Sequence, residues 1–150
     1  MRASELESYL HVHIPLSSAM GVTVSAIDAD SVALSAPLGP NINHRDTVFG
    51  GSASALAILA GWSLVHVLLA DAGISCRIVI QRNSVEYDAP MLGTFVARSR
   101  LSDAERWVGF MRMLERRGRA RVQITCSLES EGSECGSFVG TFVAIDSDRR

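Results

Sequence analysis

Residues 52–70 constrain the fold of this 150-residue chain most, because the stretch contains no Asp, Glu, Lys or Arg. Its length would allow it to cross a bilayer, which takes about 20 apolar residues. Five alanines, three serines, Gly61 and His66 keep its hydrophobicity below that of a typical membrane span. Small residues on every side also suit a helix that is enclosed by a sheet. We therefore predict a buried central helix with no membrane span, and we expect His66 to be a hydrogen-bonded core histidine.

The segments around the central helix predict strands and two further helices. Apolar and polar residues alternate in residues 22–27, 32–36, 74–87, 95–101, 120–129 and 138–145, which is typical of half-buried strands. One amphipathic helix is predicted to begin at Ser4, with Glu7 completing a capping box, and to stop at Pro15. The other is capped by Ser102 or Asp103 and ends at Gly118. The sequence thus predicts one α+β domain over residues 1–150, with a mainly antiparallel sheet wrapped around the central helix.

The composition excludes several classes of protein. With 47% hydrophobic residues the chain can bury a core, and a net charge of −2 argues against general nucleic-acid binding. Its three cysteines are odd in number and widely spaced, which fits neither a disulfide scaffold nor a zinc ribbon. We predict no metal and no cofactor. The first thirty residues lack the pattern of a secretory signal peptide, so we expect a cytoplasmic protein.

The start of the central helix is a candidate site for binding an oxyanion. Gly50, Gly51 and Ser52 are predicted to open the helix, where unpaired N–H groups and the positive end of the helix dipole point outward. Two glycines would also let a substrate carbonyl approach the backbone closely. The alternative is structural: the glycines permit a tight entry and Ser52 caps the helix. We name the amides of Gly51 and Ser52 as catalytic candidates.

Three polar side chains precede this helix start. Asn43 can donate and accept hydrogen bonds at once, which would suit it to hold a water molecule or a carbonyl group. His44 and Asp46 are the nearest titratable side chains, so either could activate water, or Asp46 could orient His44. The alternative is that these residues form a solvated turn.

Two motifs in this part of the chain are recognisable. Asn43, Gly50 and Gly51 match the ends of the pattern N-x-x-G-x-x-H-G-G, and residues 85–93 carry the Tyr, Pro and Gly of a strand-end turn. Both resemble hot-dog-fold thioesterases. Within that superfamily the chain is most similar to the group related to the YiiD C-terminal domain, through residues 47–52, the Ala-Gly-Trp at 60–62 and the extra helix ending at 116–121. The resemblance implies a hot-dog fold and an active site at the seam of a homodimer or dimer of dimers.

The sequence departs from the family pattern at positions that carry chemistry. Asp46 stands where the pattern has glycine, and Phe49 stands where it has histidine. Many relatives have an acid within the central helix, at a position that matches Ile58 here. In this chain the central helix has no carboxylate before Asp71 at its far end. The usual acid is therefore missing, unless a partner subunit supplies one. We expect the following neighbours of the helix start to contact substrate: Asn41, Thr47, Phe49, Gly50 and Ser54.

Arginines are concentrated in one part of the chain. Residues 98–121 hold eight arginines and three acids, a local charge of +5 in a chain whose net charge is −2. Arginine clusters suit phosphate groups or an acidic protein surface. We therefore nominate Arg117 and Arg119 as binding residues for the phosphates of coenzyme A (CoA) or for an acyl-carrier protein.

These observations favour a hydrolase of acyl-CoA or acyl-carrier-protein thioesters. A second hypothesis is a non-catalytic dimer that binds acyl thioesters or lipids, which the missing helix acid supports. A third is an enoyl thioester hydratase or dehydratase, because His44-Arg45-Asp46 resembles the His-x-Asp of hydratase motifs. The hydratase motif expects an acid five residues before the histidine, and this chain has Gly39 there, which argues against the third hypothesis.

Overall fold

The elements follow the predicted order. The computed structural model describes residues 1–148, with the elements α1 (Ala3–His13), α2 (Pro15–Ala19), β1 (Thr23–Ile27), β2 (Ser31–Ala36), α3 (Gly50–Asp71), β3 (Cys76–Tyr87), β4 (Phe95–Arg100), α4 (Ala104–Arg117), β5 (Arg119–Ser130) and β6 (Ser133–Asp146). A 3₁₀ turn at Gly39–Asn41 precedes α3. The predicted α+β class is confirmed.

The six strands form one antiparallel sheet in the order β1-β2-β4-β5-β6-β3. Burial alternates along β5, where Val122, Ile124 and Leu128 are buried and Arg121 and Gln123 are exposed. This period of two is what a strand with one face on a core requires. The strands β1 and β3 are the two edges of the sheet.

The helix α3 lies across the sheet as the central core element. Among residues 1–148 it is the one helix long and apolar enough to span a bilayer, with a mean hydropathy of 1.9, but 61% of its most apolar stretch is buried. Gly61 allows close packing here, since a Cβ at this position would lie 2.7 Å from the ring of Phe142. The prediction of a buried core helix is confirmed.

The N-terminal helix differs from its prediction. Ser4 is not the N-cap: the cap is Arg2, two residues earlier, and its Nε donates to Glu5 Oε1 at 2.9 Å. Glu7 instead accepts a hydrogen bond from the Val24 backbone N–H at 2.8 Å, which ties α1 to β1. Pro15 does follow the end of α1, but it also opens α2, because the first helical position needs no N–H donor.

Two later boundaries can be compared with the sequence. Asp103 is the cap of α4, accepting from the Glu105 N–H at 2.9 Å, as one of the two predicted candidates. The last strand begins at Ser133, five residues before its prediction. A tight turn at Glu131 and Gly132, with φ values of 51° and 80°, lets β5 and β6 pair right up to it.

Candidate active site

The first turn of α3 has two backbone N–H groups without a protein acceptor. Phe49 is the N-cap in an extended conformation, and its carbonyl accepts from the N–H groups of Ser52 at 2.9 Å and Ala53 at 3.1 Å. Within residues 1–148, the N–H groups of Gly50 and Gly51 donate no hydrogen bond. The expectation for Ser52 is therefore corrected: its amide is occupied by Phe49, and the available donors are Gly50 and Gly51.

Two aromatic rings border these glycines. A Cβ at Gly51 would lie 2.4 Å from the ring of Phe49, so this ring covers Gly51 directly. The Tyr87 hydroxyl donates to the Gly50 carbonyl at 3.2 Å. Phe49 is 55% exposed and Tyr87 is 57% exposed. We call these four residues, Phe49, Gly50, Gly51 and Tyr87, the N-terminal site.

Tyr87 was not among the candidates named from the sequence. It is the last residue of β3, and the carbonyl of Met91 just beyond it accepts from the Val48 N–H at 2.9 Å. The two motif stretches, residues 41–52 and 85–93, thus meet at the N-terminal site. The presence of Tyr87 in the second motif was the signal that could have found it.

Asn43 organises the loop that leads into α3. Its side-chain oxygen accepts from the N–H groups of Arg45 at 2.8 Å and Thr47 at 3.1 Å. Its amide nitrogen donates to Thr47 Oγ1 at 2.9 Å. Such an Asx arrangement replaces backbone turn contacts with side-chain ones. Both Asn43 and Thr47 are therefore engaged within their own loop, and in this structure they shape it.

His44 and Asp46 lie at the exposed tip of this loop. The loop is closed by a bond from the Phe49 N–H to the Asn41 carbonyl at 2.8 Å and by a bond from the Asn43 N–H to the Thr47 carbonyl at 2.8 Å. The role of either side chain in activating water stays a prediction.

Asn41 lies inside the protein. It is 2% exposed, and its amide group donates to the carbonyls of Met20 at 2.9 Å and Pro37 at 2.8 Å. A side chain so enclosed anchors the loop, so we reassign Asn41 from substrate contact to positioning. Ser52 and Ser54 are half-buried in the first two turns of α3.

An apolar hollow borders α3 on the side of strand β3. It has a volume of about 470 Å³, and its walls include Leu16, Ile58, Trp62 and Val79. Trp62 also donates from its indole N–H to the Ile78 carbonyl at 3.0 Å, which fixes α3 to this strand. Ile58, at the position of the usual family acid, faces this hollow. No acidic side chain occurs in α3 before Asp71.

His66 lies in an aromatic stack. Its ring centroid is 4.6 Å from that of Tyr9 and 4.8 Å from that of Trp62, and its Nε2 is buried without a partner among the described residues. The prediction that His66 is a hydrogen-bonded core histidine is therefore wrong for its Nε2 atom. Burial lowers the pKa of His66, and the nearby charge of His13 lowers it further.

The cysteines are free thiols. Cys126 donates to the Ala57 carbonyl at 3.5 Å, and burial raises its pKa to about 12. Residues 1–148 hold no group of three or more His, Cys, Asp or Glu side chains that could bind a metal ion.

The nominated arginines lie far from the N-terminal site within one chain. Arg117 and Arg119 line a groove between α4 and the start of β5. Arg119 pairs across the sheet with Ile145, which pairs with Arg77 near the start of β3, whereas Tyr87 is the end of that strand. Ten residues of strand span about 33 Å. The structure thus separates the two regions that the sequence assigned to one ligand.

The family of this chain follows from its sequence as well as its shape. The family model described as "Putative thioesterase (yiiD_Cterm)" matches residues 3–146. The chain belongs to this YiiD_C family.

Solved structures similar to this YiiD_C chain agree with that assignment. A protein of unknown function from Chlorobaculum tepidum is 28% identical, with a TM-score of 0.91 over 97% of this chain and 94% of the other. A "putative thioesterase" from Shewanella oneidensis is 27% identical, with a TM-score of 0.85 over 95% and 96%. A "probable thioesterase" from Pseudomonas aeruginosa is 20% identical, with a TM-score of 0.81 over 97% of both chains. The predicted hot-dog fold and thioesterase family are confirmed.

Proposed function

We propose that this YiiD_C chain hydrolyses acyl thioesters of CoA or of an acyl-carrier protein, at a site where two copies of the chain meet. The observation that carries the proposal is the pair of free N–H groups at Gly50 and Gly51. They stand at the positive end of a helix of 22 residues. Preorganised donors of this kind stabilise the oxyanion of acyl transfer.

The residues of the N-terminal site can bind the reacting group in a defined way. The thioester carbonyl oxygen accepts from the N–H groups of Gly50 and Gly51, and the ring of Phe49 moves aside or packs on the thioester. A water oxygen then adds to the carbonyl carbon and gives its proton to a base. The tetrahedral oxyanion collapses, the C–S bond breaks, and the departing sulfur takes a proton to leave as a thiol.

His44 or Asp46 is the base in this proposal. His44 and Asp46 are exposed, so the base that reaches the substrate is either the loop tip of the same chain or that of the partner copy. Both are compatible with a chain whose central helix carries no acid before Asp71.

The edge strand β3 supports assembly of two copies. It is twelve residues long, and among the described strands it pairs with β6 alone. Long exposed edges are normally covered, and pairing with an identical edge is the simplest way to cover one. The apolar hollow lies beside this edge, with Leu16 57% exposed and Val79 44% exposed. A second copy would bury both the edge and the hollow.

The apolar hollow is the proposed site for the acyl chain. Its walls are almost entirely hydrocarbon, and each buried methylene contributes about 0.8 kcal/mol. We therefore expect affinity to rise with chain length until the hollow is full.

Release of free thiol from a panel of acyl-CoAs, from short to long chains, tests this function. Turnover with a defined chain-length optimum would support it. Parallel measurements of enoyl-thioester absorbance would detect hydratase activity. Saturable binding without thiol release, from both CoA and carrier-protein thioesters, would instead support a binding protein and contradict the hydrolase.

A further inference from the structure

A second cavity follows the apolar hollow along α3. It has a volume of about 390 Å³, and its walls include Tyr9, His66, Leu69 and Cys76. We call it the His66 pocket. Ile78 of β3 lines both cavities, so the apolar hollow and the His66 pocket are neighbours between α3 and this strand.

The helix period places the N-terminal site and both cavities in one row. Residues three or four positions apart share a face of a helix. Gly51 is followed on its face by Ala55, Ile58 and Trp62, which line the apolar hollow, and then by His66 in the His66 pocket. An acyl chain whose thioester lies at Gly51 can therefore run along α3 through the apolar hollow and toward the His66 pocket.

Trp62 stands at the boundary between the two cavities. Its indole N–H donates to the Ile78 carbonyl at 3.0 Å, so the ring bridges the gap between α3 and β3. The same ring is stacked on that of His66, with centroids 4.8 Å apart and an interplanar angle of 13°. It is also stacked on the ring of Tyr9 from α1, with centroids 6.1 Å apart. Because three elements hold the indole in place, it closes the far end of the apolar hollow.

We infer that Trp62 sets the length of the acyl chain that the site accepts, because the end of the chain stops against its ring and does not reach the His66 pocket. The inference rests on the proposed function and adds to it a specificity-determining residue. This role needs no charge and no titration, since it depends on the position of one ring between two cavities.

The row has a length that can be converted into carbons. Eleven helical positions separate Gly51 from Trp62, which is about 16 Å along α3. Carbon–carbon bonds of about 1.5 Å at near-tetrahedral angles advance an extended chain by about 1.3 Å per carbon. The chain end therefore meets Trp62 at about 12 carbons. One more helical turn, as far as His66, would add about four carbons.

Thiol release from acyl-CoAs of increasing chain length tests this role of Trp62. Trp62→Ala joins the two cavities and should move the optimum to chains about four carbons longer. The ratio of kcat/KM for hexadecanoyl-CoA to that for dodecanoyl-CoA should rise by at least about tenfold, since each further buried methylene adds to binding. An unchanged ratio in Trp62→Ala would overturn the inference, and so would an optimum at hexadecanoyl-CoA in the unmodified chain.

The other tryptophan of the chain provides the matched control. Trp107 lies in α4, where its ring contacts that of Phe110 with centroids 4.8 Å apart, and it lines neither cavity. Trp107→Ala removes the same side chain from another part of the fold, and it should leave the chain-length optimum unchanged. The same shift in Trp107→Ala and Trp62→Ala would overturn the inference, because loosened packing in general would then explain it.

A substitution that fills the apolar hollow tests the inference in the opposite direction. Ile58 lines the hollow one helical turn before Trp62. Ile58→Trp moves the wall toward Gly51 and should shorten the optimum by about four carbons. This variant creates no cavity, so it decides the matter even where melting curves show that Trp62→Ala does not fold. An unchanged optimum in Ile58→Trp would contradict a row that runs along α3.

Quenching of the Trp62 fluorescence locates the chain end without requiring turnover. In Trp107→Phe, Trp62 is the only tryptophan of the chain. Dodecanoate is the acid that hydrolysis of dodecanoyl-CoA would release, and bromine quenches an indole that it contacts. Dodecanoate brominated at its terminal carbon should quench Trp62 more strongly than dodecanoate brominated next to its carboxylate.

The quenching experiment separates the inference from the proposed function. Equal quenching by the two brominated acids, or none by either, would overturn the placement of the chain end at Trp62. Absence of thiol release by the unmodified chain would contradict the proposed function, while stronger quenching by the terminal bromine would still support Trp62 as the wall of an acyl-binding site.

Discussion

The two halves of the apolar helix α3 have opposite surroundings. At its C-terminal half, the ring of His66 contacts the rings of both Tyr9 of α1 and Trp62, and neighbouring residues such as Leu64 and Val65 are fully buried. At its N-terminal end, Phe49 is 55% exposed and the N–H groups of Gly50 and Gly51 have no acceptor among the described residues. One end is closed by packing and the other is left open. The apolar composition of the helix explains the closed end, while the backbone geometry explains the open one.

The largest expected effect concerns the base at the open end. Replacing the true base, by His44→Gln or by Asp46→Asn, should lower kcat by about 10²- to 10⁴-fold, because proton transfer in the transition state is lost. Arg45→Ala, at the same exposed tip, is the control and should change kcat little. Steady-state thiol release measures all three. Near-normal kcat in both His44→Gln and Asp46→Asn would exclude the loop tip as the source of the base.

The same substitution at two glycines compares the packed middle of α3 with its N-terminal end. Gly61→Ala puts a Cβ 2.7 Å from Phe142, whose ring is fully buried, so it should lower the free energy of unfolding by about 1–3 kcal/mol. Gly51→Ala puts a Cβ 2.4 Å from Phe49, but this exposed ring can rotate away, so stability should change by less than about 0.5 kcal/mol. Denaturant unfolding measures both. Equal losses would mean that the two regions are packed alike.

Two substitutions at Asn43 distinguish a positioning role of this side chain from a catalytic one. Asn43→Ala removes the acceptor of two backbone N–H groups and should lower the free energy of unfolding by about 1 kcal/mol. Asn43→Asp keeps the acceptor oxygen and should retain most of the stability and the turnover. A large loss of kcat in Asn43→Asp with unchanged stability would contradict the positioning role and favour direct contact with substrate.

The closed end should make stability depend weakly on pH. Burial lowers the pKa of His66 in the folded chain, so its contribution is present above the unfolded pKa, near 6.5, and is lost as the pH falls through the folded value. The loss should be less than about 1 kcal/mol, because the ring is partly in solvent. His66→Phe keeps the stack and should flatten this part of the curve. Thermal melts between pH 7.5 and 5 measure the difference, and an unchanged pH dependence in His66→Phe would contradict it.

The sequence predicted the periodic parts of the molecule well. The alternation in residues 120–129 and the uncharged run at 52–70 report burial directly, so strand β5 and helix α3 lie within two residues of their predicted bounds. The capping residue at Ser4 was wrong because Glu7, its expected partner, is taken by the Val24 N–H seventeen residues away. Such long-range competition for a side chain leaves no local pattern.

In the candidate site too, the sequence predicts the local features but not the long-range contacts. The Gly50-Gly51 pair was predicted to open a helix with free N–H groups, and the structure has both groups unpaired. The burial of Asn41 and the contact of Tyr87 with Gly50 depend on pairs of distant segments. The distance between the nominated Arg119 and Gly50 depends on strand order, which residue spacing does not encode.

The most direct measurement compares kcat for one acyl-CoA in Gly50→Pro and Gly50→Ala. Proline is well tolerated at the first position of a helix and follows the extended Phe49 without strain, but it removes the Gly50 N–H. Alanine keeps that N–H, and its Cβ would lie 3.5 Å from Tyr87, an ordinary contact. The account predicts that Gly50→Pro loses about 10²- to 10³-fold in kcat while Gly50→Ala stays within a few-fold of the unmodified chain. Equal kcat in the two variants would contradict the claim that the open end of α3 stabilises the oxyanion.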